Sequence, residues 1–276
     1  MPLALHYEVF RAGVPLVILP GLFGSTGNWR PMARRLAVKY RVLVVDLRNH
    51  GRSPHADSMR YEEMAEDVLL LLDKQGMARV ALLGHSMGGK VAMTFALRYP
   101  DRVGALLVAD MAPVGYGRHM DGLLAALLTL PVATFRDRTQ ADAALAQTVE
   151  DERLRQFLLQ NLERDGDGFR WRVNLEAIAA NMDSLVGFPA FDACVTYPGP
   201  TCFLAGGLSR YVPPEHWDAV VARFPNAKLV TLPEAGHWLH VEAPEDFLAA
   251  VLGFLASARL GLSSRFLADE SSSHRA

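Results

Sequence analysis

The fold of this chain is decided by the stretch Gly84-His85-Ser86-Met87-Gly88, which follows the apolar run Val80–Leu83 and precedes a helix-like segment that ends at Tyr99. A buried strand that turns sharply into a helix lifts the residue between them out of the fold. Glycines two residues either side of Ser86 leave room for so tight a bend. The stretch therefore predicts a nucleophile elbow, with Ser86 open to attack and the Met87 N–H placed to receive an oxyanion at the start of a helix.

The rest of the chain alternates short Val- and Leu-rich runs with longer segments of helical period. This alternation is typical of an α/β fold, in which helices cover both faces of a mostly parallel sheet. We predict strands at Leu5–Phe10, Pro15–Leu19, Tyr40–Val45, Val80–Leu83, Ala105–Ala109, Thr201–Ala205 and Lys228–Leu232. We predict helices at Asn28–Ala37, Tyr61–Lys74, Ser86–Tyr99, Pro214–Arg223 and Pro244–Ala258. Loops that follow parallel strands meet at the carboxyl edge of the sheet, so the functional site is expected there.

Between Met111 and Val195 the alternation stops, and the apolar spacing becomes mostly helical. A segment this long between two strands exceeds an ordinary crossover, so it predicts a helical lid inserted into the fold. We place the core at 1–111 and 196–258 and the lid at 112–195, with a turn at 165–168. The serine-rich segment 259–276 has no apolar period and is predicted to be a disordered tail.

Composition narrows the class of protein. The 276 residues are 50% hydrophobic and 21% charged, which is ordinary for a globular protein, and the net charge of −2 disfavours nucleic acid as a partner. No apolar run is long enough for a membrane span and no secretory signal is evident, so we expect a cytoplasmic protein. Cys194 and Cys202 are too few for a disulfide framework, and we predict two buried free thiols.

A serine nucleophile needs a base, and the base needs a carboxylate that fixes its tautomer. The order expected after an elbow serine is acid and then histidine. His237 lies in Pro233-Glu-Ala-Gly-His-Trp238, just past the last predicted strand, so its loop opens onto the same sheet edge as Ser86. We therefore predict His237 as the base and interpret His240, one helical turn later, as structural.

The acid has more than one candidate. The loop after the strand beyond the lid contains no carboxylate, and Ser209 occupies the expected place. Asp110 ends the strand beside the elbow strand, and we predict it as the acid; Asp183 in the lid is the alternative. Asp46 would break the expected order and is interpreted as the anchor of the turn Arg48–Ser53.

A second oxyanion donor is expected from the glycine-rich loop that follows an early strand. We predict the Leu22 N–H, with that of Phe23 as the neighbouring option. The candidate substrate-pocket residues are apolar or aromatic side chains, and one histidine, near the predicted edge: Phe23, His50, Leu123, Leu127, Phe135 and Trp238. Neither a phosphate loop nor a dinucleotide fingerprint is matched and no metal-ligand spacing occurs, so we predict no cofactor and no metal.

Together these features resemble the α/β-hydrolase superfamily and, within it, the group of esterases that contains abhydrolase domain 11 and YbfF. The segments that carry the resemblance are Gly21–Ser25, Asp46–Pro54, Gly84–Lys90, Trp171–Leu175 and Ala235–Trp238. The resemblance implies an α/β-hydrolase fold and a small esterase with a helical cap, acting on short acyl esters or on acyl-CoA thioesters. It also implies that the acid is Asp110. The sequence departs from the group at Pro20, where a histidine usually precedes the glycine.

The resulting hypothesis is a serine hydrolase, either a carboxylesterase or a thioesterase. It would cleave a small-molecule acyl ester or thioester through an acyl-enzyme on Ser86. Two alternatives stay open. One is a carbon–carbon bond hydrolase of diketones, which usually has its acid after the lid, and the other is a non-catalytic binding module that shares the fold.

Overall fold

A seven-stranded sheet forms the centre of the molecule. A computed structural model describes residues 1–258, so the tail predicted at 259–276 lies outside the described residues. The strands are β1 (Tyr7–Phe10), β2 (Pro15–Leu19), β3 (Arg41–Val45), β4 (Val80–His85), β5 (Val103–Ala109), β6 (Leu162–Asp165), β7 (Gly168–Trp171), β8 (Thr201–Gly206) and β9 (Ala227–Leu232). In the sheet they run in the order β1-β3-β2-β4-β5-β8-β9, and β6 and β7 form a separate hairpin. Only β1 pairs antiparallel within the sheet, which confirms the predicted mostly parallel α/β class.

The helices are α1 (Thr26–Leu36), α2 (Tyr61–Lys74), α3 (Met87–Arg98), α4 (Asp121–Thr129), α5 (Arg138–Leu145), α6 (Glu152–Leu159), α7 (Leu175–Ala180), α8 (Met182–Val186), α9 (Trp217–Arg223), α10 (Leu239–Glu242) and α11 (Pro244–Ser257). One face of the sheet packs against α1 and α11 through Trp29 and Phe247. The other face packs against α2 and α3 through Val68 and Phe95. Apolar side chains are therefore removed from water on both faces, which is the main source of stability in a fold of this kind.

All seven predicted strands are present, with ends that differ by at most two residues. Strand β1 begins at Tyr7 rather than Leu5, and β4 continues to His85 before the chain turns. Every residue of β4, β5 and β8 is buried, which accounts for their mostly apolar sequences. The helix predicted from Pro214 is an α-helix only from Trp217, because a tighter 3-10 turn precedes it.

The segment between β5 and β8, residues 112–195, is called the insert below. It holds five α-helices, α4 to α8, where the apolar spacing predicted a mostly helical segment, and it also contains the β6–β7 hairpin, which that spacing did not predict. Gly166 in the predicted turn has φ +57°, a backbone conformation that favours glycine. A Cβ at Gly168 would lie 2.0 Å from the Ala133 carbonyl oxygen, so the hairpin packs tightly against the rest of the insert.

Hydrogen bonds from two asparagines, Asn174 and Asn161, join the insert to the core. The Asn174 N–H donates to the Asn49 carbonyl oxygen at 2.9 Å, and Asn174 Nδ2 donates to Asn49 Oδ1 at 3.1 Å. Asn161 Nδ2 donates to the Phe23 carbonyl oxygen at 2.9 Å. Two stretches that carry the family resemblance, around Asn49 and Asn174, are thus in direct contact.

The turn that contains Asn49 is built around Asp46, in line with the interpretation from the sequence. The Asp46 carboxylate accepts hydrogen bonds from the N–H groups of Arg52, at 2.9 Å, and Thr26, at 2.6 Å. A Cβ at Gly51 would lie 2.2 Å from this carboxylate, and Gly51 has φ +55°. Only glycine fits so close to the anchor.

Three further observations concern the cysteines, membrane-spanning helices and metal-binding clusters. Cys202 is buried, but Cys194 is exposed in the connection between α8 and β8, so the expectation of a buried thiol was wrong there. None of the helices described in the structure is long and apolar enough to cross a bilayer. Within residues 1–258 no three His, Cys, Asp or Glu side chains are grouped so as to hold a metal ion.

Candidate active site

Ser86 is the single residue between β4 and α3. Its backbone has φ 53° and ψ −121°, a conformation that L-residues rarely adopt and that persists only where the surrounding fold enforces it. A Cβ at Gly84 would lie 2.2 Å from the Gly88 carbonyl oxygen, and one at Gly88 would lie 2.1 Å from that of Leu19. Both elbow glycines are therefore required by contact with neighbouring backbone, and the bend exposes the serine.

Gly88→Ala is expected to lower the free energy of unfolding by about 2 kcal/mol or more, because backbone at the elbow must move to admit the methyl group. Urea unfolding followed by circular dichroism measures the change. Gly122→Ala in α4 is the matched control, since a Cβ there meets nothing within 4 Å. Equal stability of the two variants would show that the elbow tolerates a side chain.

The structure brings together the three residues predicted to form the triad. The Ser86 hydroxyl lies 3.0 Å from His237 Nε2, and His237 Nδ1 lies 2.7 Å from Asp110 Oδ2. The Asp110 carboxylate can accept a hydrogen bond but cannot donate one, so His237 Nδ1 carries the proton of this bond. In the neutral ring Nε2 then has no proton and can accept from the serine hydroxyl. This is the geometry that a general base needs before it can activate a serine.

Asp110 is fully buried and is held by three donors. Besides His237, the Gly206 N–H donates to its Oδ1 at 3.1 Å, and the Ser209 hydroxyl donates to its Oδ2. Ser209 thus occupies the loop position where an acid was first sought, and its hydroxyl binds the carboxylate that comes from the neighbouring strand. The alternative, Asp183, is 86% exposed and pairs with Arg118 at 2.6 Å, so the structure does not bring it to His237.

The two predicted oxyanion donors flank Ser86. Met87 is the first residue of α3, and a Cβ at Gly21 would lie 3.0 Å from the Ser86 Cβ, which places the loop of Leu22 directly against the serine. Neither the Leu22 nor the Met87 N–H donates to any acceptor within residues 1–258. Two backbone donors are therefore free beside the serine hydroxyl.

Two further histidines lie behind His237. His85 Nε2 donates to the His237 carbonyl oxygen at 2.8 Å, and the His240 ring stacks on Trp29 at 3.9 Å. Burial holds the pKa of His85 well below its usual value and lowers that of His240 to about 3, so both rings are neutral near pH 7. His85 was not predicted as a site residue from the sequence, although it directly precedes Ser86 and lies beneath the elbow.

A cavity of about 260 Å³ opens at Ser86 and His237. Of the predicted pocket residues, Phe23, Leu123 and Trp238 line it. Other wall residues were not predicted and come from distant segments: Met120, Leu154, Phe157 and Tyr211. The first three lie in the insert, where apolar spacing does not say which side chains face the serine, and Tyr211 lies in the loop after β8.

Three predicted pocket residues do not line this cavity or a smaller one that also contains Ser86. His50 is fully buried, with Nδ1 2.9 Å from the Arg48 carbonyl oxygen, so it belongs to the turn anchored by Asp46. Leu127 is buried on the inner side of α4, and Phe135 packs against the hydrophobic core cluster. The prediction that His50, Leu127 and Phe135 line the substrate pocket was therefore wrong.

Comparisons with known proteins agree with this architecture. The family model described as alpha/beta hydrolase fold matches residues 14–244. The chain is 42% identical to the mouse sn-1-specific diacylglycerol lipase ABHD11, over 92% of this chain and 86% of that protein. It is 36% identical to the esterase YbfF of Escherichia coli K12, over 87% of this chain and 92% of that protein. A solved marine microorganism esterase matches with a TM-score of 0.87 and 40% identity, over 91% of this chain and 99% of that one.

Proposed function

Since the chain belongs to the α/β-hydrolase family, as the resemblance predicted, we propose that it hydrolyses small acyl esters through an acyl-enzyme on Ser86. That it is a hydrolase of ester bonds follows from its relatives, which are named esterases and a lipase. The mechanism rests on one observation, the hydrogen-bonded chain from Asp110 through His237 to Ser86. The roles given to these residues are part of the proposal.

In the first step the Ser86 oxygen attacks the ester carbonyl carbon while His237 Nε2 takes the hydroxyl proton. The carbonyl oxygen becomes an oxyanion, which the free N–H groups of Leu22 and Met87 stabilise. Asp110 stabilises the imidazolium formed on His237 and holds its tautomer. The bond to the leaving oxygen then breaks, and His237 donates its proton to that oxygen.

In the second step water attacks the acyl-enzyme. His237 accepts a proton from the water, the same two N–H groups stabilise the second oxyanion, and the bond to the Ser86 oxygen breaks with return of the proton. The carboxylic acid product then leaves. A thiol leaving group passes through the same steps, so a thioester is accommodated by the same residues.

The two cavities at Ser86 support a placement for the two halves of the substrate. The leaving oxygen must reach His237 Nε2, and His237 lines the cavity of about 260 Å³ together with Trp238 and Phe157. The smaller cavity, of about 70 Å³, contains Ser86 and Met87 but not His237. The leaving group therefore occupies the larger cavity, and a short acyl chain occupies the smaller one.

The insert acts as a cap in this proposal. Its side chains Leu123, Leu154 and Phe157 line the leaving-group cavity, and Met182 and Leu185 line the acyl cavity. A site walled in this way limits access of bulk water to the reacting carbonyl, which strengthens electrostatic stabilisation of the oxyanion. The proposed boundaries are those of the core, 1–111 and 196–258, and of the cap, 112–195.

A fluorophosphonate probe tests the proposed nucleophile directly. We expect stoichiometric labelling, with the mass increase on the peptide that contains Ser86, together with turnover of 4-nitrophenyl butyrate. Turnover of acyl-CoA in parallel measures thioester cleavage. A folded protein that is neither labelled nor active on any ester would instead be a non-catalytic binding module.

A further inference from the structure

Lys90 is a buried cation that the proposed mechanism does not use. It lies one turn into α3 from Ser86, it is 1% exposed, and no carboxylate within residues 1–258 pairs with it. Its ammonium group donates to the carbonyl oxygens of Val186, at 2.8 Å, and Gly187, at 2.5 Å. Two neutral carbonyls thus accept from two of its three N–H groups but leave its charge uncompensated.

Lys90 lines the small cavity that begins at Ser86. Most of the other walls are apolar: Leu22, Met87, Met111, Met120, Met182, Leu185 and Val186. The titratable groups that face the cavity are Tyr61 from α2, Tyr116 and His119 from the segment after β5, and Tyr211 from the loop after β8. Within residues 1–258 no Asp or Glu lines it, so an anion entering the cavity meets a cation and no carboxylate in the cavity wall.

An isolated charge in such surroundings is costly, because burial removes the water that stabilises it. Burial lowers the pKa of Lys90 to about 7, far below the ordinary value for a lysine. The faces of the Tyr116 and Tyr61 rings, at 4.8 and 5.8 Å from Nζ, offset part of the cost. A bound carboxylate would offset far more, since it supplies the missing opposite charge.

We propose that Lys90 recognises a carboxylate at the far end of the acyl group, so that half-esters of short dicarboxylic acids are preferred substrates. The inference rests on the proposed function, because it places the acyl chain in the cavity on the Met87 side. About 10–15 Å³ suffices to hold one water molecule. The cavity of about 70 Å³ therefore has room for a short chain of a few heavy atoms.

A purely structural role for Lys90 is the competing explanation, because Val186 and Gly187 belong to the end of α8 and its cap. Asn181 provides the matched control for that role. Its side chain accepts from the Met59 N–H at 3.1 Å and donates to the Asp57 carbonyl oxygen at 2.6 Å, so it also joins the core to the start of α8, but it carries no charge and lines neither cavity. Asn181→Ala loosens this junction without removing the cation.

The test compares two esters that differ in one group. Monoethyl succinate and ethyl butyrate have the same leaving group and a four-carbon acyl chain, but the first ends in a carboxylate and the second in a methyl group. Ethanol release gives kcat/KM for each. We expect the wild-type protein to prefer monoethyl succinate, and Lys90→Met to lower the ratio of the two kcat/KM values at least tenfold, whereas Asn181→Ala leaves the ratio within about twofold.

A second, independent test uses the wild-type protein alone. The ratio of kcat/KM values is expected to fall as the pH is raised from about 6 to about 9, because kcat/KM reports the free enzyme and Lys90 loses its proton there. Both esters react through the same catalytic residues, so a pH dependence of the chemical steps that they share cancels from the ratio. In folded Lys90→Met the ratio is expected to be lower and to show no fall over this range.

The outcomes separate the explanations. Equal losses on both esters in Lys90→Met, with an unchanged ratio, would show that Lys90 only anchors the insert. A wild-type protein that hydrolyses ethyl butyrate but not monoethyl succinate would overturn the carboxylate site and leave the esterase proposal intact. Failure to hydrolyse either ester, or any other, would contradict the proposed function itself.

Discussion

Ser86→Ala is expected to reduce kcat on 4-nitrophenyl butyrate by about 10⁴- to 10⁶-fold, since loss of the nucleophile removes the acyl-enzyme route altogether. The variant keeps the Leu22 and Met87 N–H groups, so a small residual rate above the uncatalysed reaction is expected from oxyanion stabilisation alone. Steady-state release of 4-nitrophenol measures both values. Loss of the Ser86 hydroxyl also removes labelling by the fluorophosphonate probe.

Ser257→Ala is the matched control for this substitution. Ser257 ends α11 on the surface, and its hydroxyl donates to the Phe254 carbonyl oxygen. Its rate should stay within about twofold of wild type. If Ser86→Ala kept a tenth or more of the wild-type kcat, with matching circular dichroism spectra, another residue would have to be the nucleophile.

Much of the architecture was predictable because the core strands are buried on both faces. Val80–Leu83 and Ala105–Ala109 are continuous apolar runs, and their lengths and flanking turn residues mark them as parallel strands. The elbow could be placed within one residue, since Gly84 and Gly88 leave the chain few other conformations. Asp110 and His237 each follow a strand of the parallel sheet. Because the loops after parallel strands meet at one edge, both residues could be predicted to lie at the edge that holds Ser86.

The insert was harder to predict because its elements are short. Strands β6 and β7 have four residues each, and three of the eight residues are arginines or glutamates that pair with one another or lie in solvent, so no apolar alternation marks them. The turn between the strands contains Gly166, with φ +57°, and Gly168 lets β7 lie close to the Ala133 backbone. The helical spacing of the neighbouring residues therefore gave no indication of the β-hairpin between them.

The acid and the pocket depended on contacts that a sequence does not display. Asp183 looked available, but Arg118, which is 65 positions away, holds it in solvent. His50 looked like a pocket residue, but the turn around Asp46 buries it. In the same way, Lys90 is an ordinary cation in the sequence and a buried charge only after α8 has packed over it.

Asp110→Asn is expected to lower kcat/KM on 4-nitrophenyl butyrate by about 10³- to 10⁴-fold. An asparagine amide can donate to His237 Nδ1, which favours the tautomer with the proton on Nε2. That nitrogen then faces the Ser86 hydroxyl as a donor and cannot accept its proton. Asparagine also has no negative charge to stabilise the imidazolium, while its size preserves the contacts with Gly206 and Ser209. The effect is therefore chemical rather than a loss of packing.

Asp183→Asn decides between the two acids that the sequence allowed. It breaks an exposed ion pair with Arg118, which contributes little to stability because both charges lie in solvent, so its rate should match wild type within about twofold. Near-normal turnover by Asp110→Asn and a collapse in Asp183→Asn would overturn the assignment. A collapse in both would mean that the ion pair to Arg118 holds the insert in its active position. Only a large loss in the first with none in the second supports Asp110 as the partner of His237.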